Sequence, residues 1–142
     1  MAVLVLPDLS SAFDTVDHGI LLRRLEVSFG ITGHALDWFR SYLTGRTQYT
    51  RLGTHRSPIS FLTCNLPQGS VLGPVLFLLY LADLQDIIIK HSLGPHLYVD
   101  DTQICGSCHP NDIDQLKERV STCIDEVAGW MRANRLDRKS VV

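Results

Sequence analysis

The sequence lacks an excess of positive charge, and we expect neither a leader segment nor an apolar run long enough to cross a membrane. Its 142 residues include 13 Lys and Arg against 15 Asp and Glu, a formal net charge of −2. It therefore has no strongly basic footprint of the kind that marks many nucleic-acid-binding domains. No basic region precedes the short apolar run after Met1, as a secretory signal would require. The longest apolar stretch, residues 71–82, contains Gly73 and Pro74 and falls short of the roughly 20 residues that span a bilayer.

The chain has four cysteines and has no internal repeat, low-complexity tract or linker. Four cysteines in a chain without a leader predict reduced thiols and a soluble, intracellular protein, cytoplasmic or nuclear, with no membrane contact. Hydrophobic residues make up 45% of the chain, enough for a packed core and too much for a disordered chain. This length predicts one domain or part of one.

Three carboxylates follow short apolar runs and are the main chemical signal. Asp8 comes after the run at 3–6, and Asp100 and Asp101 come after the run at 97–99. Carboxylate oxygens suit Mg²⁺, and two such ions about 3.5–4 Å apart can hold both oxygens of an in-line phosphoryl transfer. Adjacent carboxylates repel each other unless a cation offsets their charge. The pattern therefore makes Asp8, Asp100 and Asp101 candidate catalytic residues and candidate ligands of two Mg²⁺ ions, for which Mn²⁺ would substitute. Exposed acids at a strand end and in a hairpin turn are the open alternative at this point.

The residue periodicity predicts an α+β fold, a small and mostly antiparallel sheet with helices packed on one face. A helix at 74–86 is apolar nearly all round, which predicts that it is buried. The residues between the last two strands place the Asp pair at or near the tip of a hairpin. The predicted strands are 3–6, 48–52, 59–64, 96–99 and 102–105, and the predicted helices are 20–29, 33–43, 74–86 and a long last one.

Capping residues predict where these helices begin. Asp14 or Asp17 is expected to cap the helix at 20–29, so neither these acids nor His18 is assigned an acid–base role. Asn111 is expected to cap the last helix. That helix carries an apolar stripe expected to pack in the core, made of Ile113, Leu116, Val120, Ile124, Val127 and Met131.

Four sequence motifs, taken together, resemble those of one known family. Residues 8–18 read Asp-Leu-Ser-Ser-Ala-Phe-Asp-Thr-Val-Asp-His, residues 66–74 contain Pro-Gln-Gly, and residues 98–103 read Tyr-Val-Asp-Asp-Thr-Gln. The segment 36–43 is similar to the region that connects the first two motifs. In this order and spacing they resemble the reverse transcriptases of LINE-type, non-LTR retrotransposons of the jockey-like kind. The resemblance runs from about residue 3 to 135.

The resemblance implies an RNA-directed DNA polymerase that adds deoxynucleoside triphosphates to the 3′-hydroxyl of a DNA primer on an RNA template. It implies the polymerase palm as the fold. Phe13 would lie under the sugar of the incoming nucleotide and exclude a 2′-hydroxyl, although a core aromatic is an open alternative. Gln68, Gly69 and Tyr98 would contact the nucleotide or the template–primer. Lys139 is left open as a proton donor to the departing pyrophosphate.

Several features set this chain apart from the family pattern. Pro7 stands where an aliphatic residue is usual and would remove a hydrogen bond from a central strand. Asn65 stands where glycine is usual. Residues 1–142 are expected to be a partial domain, a palm largely without fingers and thumb, and inactive by itself. The alternatives are a catalytically inactive remnant of such an enzyme and a domesticated binding module, and the oligomeric state is not predicted.

The cysteines suggest two further sites, which the sequence does not favour. Residues 105–109 read Cys-Gly-Ser-Cys-His, the literal form of a c-type haem attachment sequence. Cys105, Cys108, His109 and Cys123 have the ligand types of a zinc site. Cys123 lies on the apolar stripe of the last helix and is therefore expected in the core.

Overall fold

The computed structural model describes residues 2–7, 12–67, 69–98 and 101–136. Helices and small antiparallel sheets alternate along the chain, which confirms the predicted α+β class. The elements in chain order are β1 (Ala2–Val5), α1 (Ala12–Thr15), α2 (His18–Val27), α3 (Gly33–Leu43), β2 (Thr47–Gln48), β3 (Arg51–Leu52), β4 (His55–Arg56), β5 (Ser60–Phe61), α4 (Leu72–Tyr80), α5 (Ala82–Lys90), β6 (Gly94–Tyr98), β7 (Asp101–Ser107) and α6 (Ile113–Ala133).

The main sheet has the strand order β1-β7-β6, and both pairings are antiparallel. Tyr98 lies opposite Asp101, so two residues connect β6 to β7, which confirms the predicted hairpin around the Asp pair. The expectation that Pro7 interrupts a central strand is wrong. Among the described strands β1 pairs with β7 alone, and Pro7 is buried two residues beyond the end of β1. An edge position tolerates proline because its missing N–H need not serve a second neighbour.

Alternation along the strands gives the sheet one covered face and one open face. Thr102 and Ile104 of β7 are buried, and Leu97 of β6 packs against the same core. α5 lies against β6 and α6 lies against β7. Leu4 and Tyr98 are on the opposite face and are exposed. Helices therefore cover one face of the main sheet, as predicted.

The predicted helix at 74–86 is two helices, α4 and α5, separated at Leu81. It is not buried all round, because Val71 before it and Val75 and Leu78 within it are exposed. The Leu81 N–H donates to Phe77 O, whereas the Leu84 N–H turns to Leu81 O. The Tyr80 carbonyl thus loses the partner that a continuous α-helix would give it, and a side chain described below replaces that partner.

By length and composition alone, Leu72–Lys90, with 19 residues, is capable of crossing a membrane. This finding differs from the prediction that the longest apolar stretch, residues 71–82, is too short to span a bilayer. One such helix is weak evidence for a membrane span, since the core helix of a globular protein passes the same test. Phe77, Leu84 and Ile88 of this segment are fully buried in the core cluster, which is the position of a core helix.

Local capping signals were partly right. Asp17 caps α2 as predicted, and its Oδ1 accepts a hydrogen bond from the Ile20 N–H at 2.9 Å. The predicted cap at Asn111 is wrong: a 3₁₀ turn at Pro110–Asp112 precedes α6, and Asp112 occupies the cap position without a side-chain bond. Proline favours the first turn of a helix, so the turn begins earlier than expected. Of the predicted apolar stripe of α6, Leu116, Val127 and Met131 are buried and Val120 packs against the core, whereas Ile113 and Ile124 are only half-buried. Cys123 and Ala128 of the same helix are buried as well.

Residues 47–61 form a hairpin of two nested ladders, whose four two-residue strands differ from the two longer strands predicted at 48–52 and 59–64. β2 pairs with β5, and β3 pairs with β4 around a tip that contains Gly53, whose φ is +60°. Every residue from 47 to 61 is exposed. The hairpin therefore projects from the domain and takes no part in its core.

Candidate functional site

The β6–β7 hairpin presents Tyr98 and Asp101 directly opposite each other at one end of the main sheet. Both side chains are exposed, and Tyr98 is 80% accessible. The Gln103 amide donates a hydrogen bond to Asp101 Oδ2 at 3.1 Å, which orients the carboxylate without neutralising its charge. Three predicted site residues, Asp8, Gln68 and Asp100, lie outside the described residues.

β1 runs toward the same end of the sheet. Val5, three residues before Asp8 in the sequence, lies opposite Ile104, three residues after Asp101. A groove of about 980 Å³ lies along the open face and is lined by residues of all three strands. Leu4, His96, Tyr98, Asp101 and Gln103 are among them. A ligand on this face would thus meet the Asp101 carboxylate at one end.

Phe13 is half-buried and lies between α4 and the turn at 66–69. Its ring stacks on Phe77, with 5.0 Å between ring centroids and 22° between planes. The Leu66 N–H donates to the Phe13 carbonyl at 2.7 Å. A Cβ added at Gly73 would lie 2.9 Å from Pro67 O and 3.6 Å from the Phe13 ring. Phe13 and the predicted nucleotide-contacting turn are therefore brought together, while the Phe77 contact gives Phe13 a packing role as well.

Asn65 precedes this turn with φ +116°, and Gly69 is its last residue, with φ +77°. The left-handed region costs a residue with a Cβ more than it costs glycine. This explains why glycine suits the position that Asn65 occupies. The Asn65 N–H donates to Val16 O at 2.9 Å, so the strained residue is held in place by the segment that carries Phe13.

His18 is a functional candidate that the sequence analysis did not assign. It is buried, and its Nε2 lies 2.7 Å from Asn65 O. It thus ties the start of α2 to the residue that leads into the turn. The same segment is fixed on its other side, because Asp17 Oδ2 accepts from Arg135 Nη1 at 2.8 Å. A histidine three residues before the apolar Leu21 gives no sequence signal for this long-range bond.

Arg24 is the centre of a buried polar network that the sequence analysis also missed. Its Nη1 donates to the Tyr80 carbonyl left open by the break at Leu81, and its Nη2 donates to Asn134 Oδ1 at 3.0 Å. Nη2 also lies 2.9 Å from Asp83 Oδ2. The guanidinium is 5.4 Å from the ring centroids of both Tyr80 and Trp130. The network joins α2, the α4–α5 junction and the end of α6.

Tyr80 completes this network. Its hydroxyl donates to Asn134 O at 2.5 Å, and burial raises the pKa of the phenol above its usual value. The phenol therefore stays protonated and remains a donor at physiological pH. The arrangement stabilises the packing of α2 against the α4–α5 junction and the end of α6.

The cysteine alternatives gain no support. Cys105 is half-buried on β7 and Cys123 is buried in α6, where burial raises the pKa of its thiol. The interpretation of Cys123 as a core residue is confirmed. In the described ranges, no group of three or more His, Cys, Asp and Glu side chains is placed to hold a metal ion.

Comparison with known proteins agrees with these features. Residues 2–139 match the family of reverse transcriptases (RNA-dependent DNA polymerases). The RNA-directed DNA polymerase from mobile element jockey of Drosophila funebris is 28% identical over 130 residues, 87% of this chain and 14% of that protein. A probable RNA-directed DNA polymerase from transposon BS of Drosophila melanogaster is 27% identical over 130 residues, 88% of this chain and 14% of that protein.

A jockey polymerase of Drosophila melanogaster is 29% identical over 108 residues, 68% of this chain and 11% of that protein. The chain thus spans about one seventh of the length of the first two relatives. The family match covers nearly all of its residues, and the resemblance to the polymerases of jockey-like, non-LTR elements is confirmed. The chain belongs to the reverse transcriptase family.

Proposed function

We propose that this chain is the palm region of an RNA-directed DNA polymerase and that Asp8, Asp100 and Asp101 hold two divalent cations. Reverse transcriptases generally use divalent metals, and carboxylates are the oxygen donors that Mg²⁺ prefers. One observation carries the proposal: β1, which leads to Asp8, and the β6–β7 hairpin, which contains Asp100, meet through β7 at one end of the sheet. Mg²⁺ is the native ion of this proposal and Mn²⁺ its substitute.

The described part of the site fits a cation. Asp101 begins β7 as an exposed carboxylate, and its described hydrogen-bond partner is the neutral Gln103 amide. Within the described ranges, Asp101 forms no ion pair with Lys, Arg or His. Its negative charge is therefore not neutralised by a described basic side chain and can interact with a metal ion.

The proposed reaction is attack of the primer 3′-hydroxyl on the α-phosphate of a deoxynucleoside triphosphate, with pyrophosphate leaving. Bound cations would orient the attacking and leaving oxygens and neutralise the negative charge that develops on the phosphate oxygens. The open face of the sheet would receive the template–primer, which comprises an RNA template and a DNA primer. Phe13 would lie against the sugar of the nucleotide, and Gln68, Gly69 and Tyr98 would contact the nucleotide or the template–primer.

Mn²⁺ binding, followed by electron paramagnetic resonance, tests the metal site directly. We expect the wild-type chain to bind Mn²⁺ and the variants Asp8→Asn and Asp100→Asn to lose that binding, because each removes a shared ligand. Asp114→Asn is the matched control. The Asp114 side chain is fully exposed on α6 beside Lys117, away from the sheet.

Two results would contradict the proposal. One is Mn²⁺ binding that persists in Asp8→Asn and Asp100→Asn. The other is equal loss in Asp114→Asn, which would indicate a diffuse charge effect. Circular dichroism of each variant separates loss of ligands from loss of fold.

A catalytically inactive remnant is the second candidate, and the strained Asn65 favours it. A positive φ at a residue with a Cβ is a local cost that a polymerase under selection would avoid with glycine. Primer extension by the wild-type chain supplied with Mn²⁺, template–primer and nucleotides would rule this candidate out. Mn²⁺ binding without extension is expected of both candidates, because a palm largely without fingers and thumb is expected to be inactive by itself.

A further inference from the structure

The net charge of −2 conceals a long positive segment. All 15 acidic residues of the chain lie outside residues 38–82, whereas this segment contains four arginines, Arg40, Arg46, Arg51 and Arg56. These residues occupy the second half of α3 and the projecting hairpin, where Arg40, Arg51 and Arg56 are exposed and Arg46 is half-exposed. Of the ion pairs among described residues, none includes these four side chains. Their charge is uncompensated.

The hairpin places two of these arginines directly against each other. Arg51 and Arg56 are cross-strand partners of β3 and β4. Like charges directly opposite on a sheet destabilise it. The Arg56 guanidinium lies 5.0 Å from the Tyr49 ring centroid, and Arg51 Nε donates to Gly53 O at 3.0 Å. The pair is thus held in place by an aromatic ring and the turn, and an anion between the two guanidinium groups would relieve the repulsion.

Aromatic side chains extend the same surface along α3. Trp38 and Tyr42 stack with 5.5 Å between ring centroids and 9° between planes, and the Arg46 guanidinium lies 4.7 Å from the Tyr42 ring centroid. The spacing of four residues places Trp38 and Tyr42 on one side of the helix, and Arg46, three residues beyond the end of α3, lies against Tyr42. Trp38 is 53% exposed, so part of its surface is available to a further planar group.

Arg46 joins the aromatic row to the hairpin. Its Nε donates to Tyr42 O at 2.8 Å, and its carbonyl accepts from the Leu62 N–H at 2.9 Å, next to the pairing of Thr47 with Phe61. The end of α3 and the base of the hairpin are therefore fixed to each other. Planar stacking groups beside uncompensated arginines are the two elements from which single-strand binding grooves are built.

We propose that this surface, formed by Trp38, Tyr42, Arg46, Arg51 and Arg56, binds a single strand of nucleic acid. The arginines would contact phosphates, and Trp38 would stack on a base. The proposal rests on the proposed function for the strand's identity, because a polymerase handles both a template and a primer. Exposed Leu52 and Phe61 on the hairpin would also suit a protein partner, but the absence of acidic residues across 38–82 favours a polyanion.

Fluorescence anisotropy with the full chain tests the proposal. The probes are three labelled strands of about 12 nucleotides, within the usual range of single-strand site sizes. They are oligoadenylate RNA, oligoadenylate DNA and an abasic strand. All titrations contain a chelator and cover a series of salt concentrations. Arg51→Gln/Arg56→Gln is compared with Arg23→Gln/Arg132→Gln, a matched pair of exposed arginines elsewhere.

Counterion release sets the expected size of the effect. Three phosphate contacts on a single strand predict a slope of about −2.1 for log K against log salt, and removal of two reduces its magnitude by about 1.4. Arg51→Gln/Arg56→Gln should weaken binding roughly tenfold or more at low salt, while the control pair changes it little. Trp38→Leu should weaken base-bearing strands about tenfold and leave the abasic strand unaffected. Preference for RNA or DNA assigns the strand, and either supports the proposal.

Several outcomes would overturn it. They are absence of binding by the wild type, binding independent of salt, equal weakening in the control pair, and equal weakening of the abasic strand by Trp38→Leu. Absence of nucleic-acid binding would leave the hairpin's apolar residues as a contact for a protein. The titrations contain no free divalent cation, so a failure to bind nucleic acid leaves the Mn²⁺ test of the polymerase site unaffected. A failure to bind Mn²⁺ likewise leaves the titrations unaffected.

Discussion

Replacement of Arg24 by Met removes the centre of the polar network beneath the sheet while keeping a long apolar stem. The change deletes the bonds from Arg24 to the Tyr80 carbonyl and to Asn134 Oδ1, and the ion pair with Asp83. The Tyr80 carbonyl and Asn134 Oδ1, both buried, lose the guanidinium donor. Asp83 remains hydrated, because its side chain is 49% exposed.

The magnitude follows from these contacts. A buried hydrogen bond to a charged group contributes about 1.5–3 kcal/mol, and a half-exposed ion pair adds less than about 1 kcal/mol. Arg24 is 9% exposed, and relief of the cost of burying its charge offsets part of the loss. We expect Arg24→Met to lower the free energy of unfolding by about 2–4 kcal/mol, a large share of the roughly 5–15 kcal/mol typical of a domain.

Urea unfolding followed by tryptophan fluorescence measures this change, since Trp130 lies against Arg24. Arg23→Met is the matched control, because Arg23 is the exposed neighbour on the same helix. Arg24→Lys should recover only part of the loss, since one ammonium cannot reproduce the planar fork. Equal destabilisation by the Arg23 and Arg24 variants, or a change below about 0.5 kcal/mol for Arg24→Met, would refute this reasoning.

Three further substitutions test local features. Asn65→Gly should raise the free energy of unfolding by about 1 kcal/mol, because relief of strain at φ +116° exceeds the entropy that glycine adds to the unfolded chain. Thr102→Val should stabilise by about 1 kcal/mol, because Thr102 Oγ1 is buried and has no hydrogen-bond partner among the described residues. Hydrogen bonds from Lys90 and His91 hold the pKa of Glu126 below its ordinary value of 4.5, so their stabilising effect is complete above that value and is lost as pH falls through the lowered pKa. Stability should therefore fall more steeply with acid in the wild type than in Glu126→Gln.

Denaturant midpoints check all three, and each has an outcome that contradicts it. Destabilisation by Asn65→Gly would show that its side chain outweighs the backbone strain. A loss of stability in Thr102→Val would imply that the hydroxyl has a partner that its surroundings do not reveal. Parallel pH curves for the wild type and Glu126→Gln would remove the contribution assigned to Lys90 and His91.

Much of the local structure was predictable from short stretches of sequence. α3 has the predicted bounds 33–43, Asp17 caps α2, and the hairpin that presents Asp101 follows from apolar runs on either side of an acidic pair. These features depend on hydrogen bonds and side-chain alternation between residues a few positions apart. The family also followed from sequence, because the spacing of the motifs is preserved along the chain. Of the predicted site, Phe13, Gly69, Tyr98 and Asp101 fall in the described ranges, and their roles remain predictions.

The tertiary structure decided what no short stretch contains. Among the described strands, β7 rather than β1 is the central strand, so Pro7 follows an edge strand and does not interrupt a central one. The break between α4 and α5 is accompanied by a bond from Arg24, 56 positions away, and the same arginine reaches Asn134 across 110 positions. The positive φ of Asn65 is held by bonds to Val16 and His18. Local sequence could not predict these features, because the donors that satisfy each buried carbonyl come from distant segments brought together when the core packs.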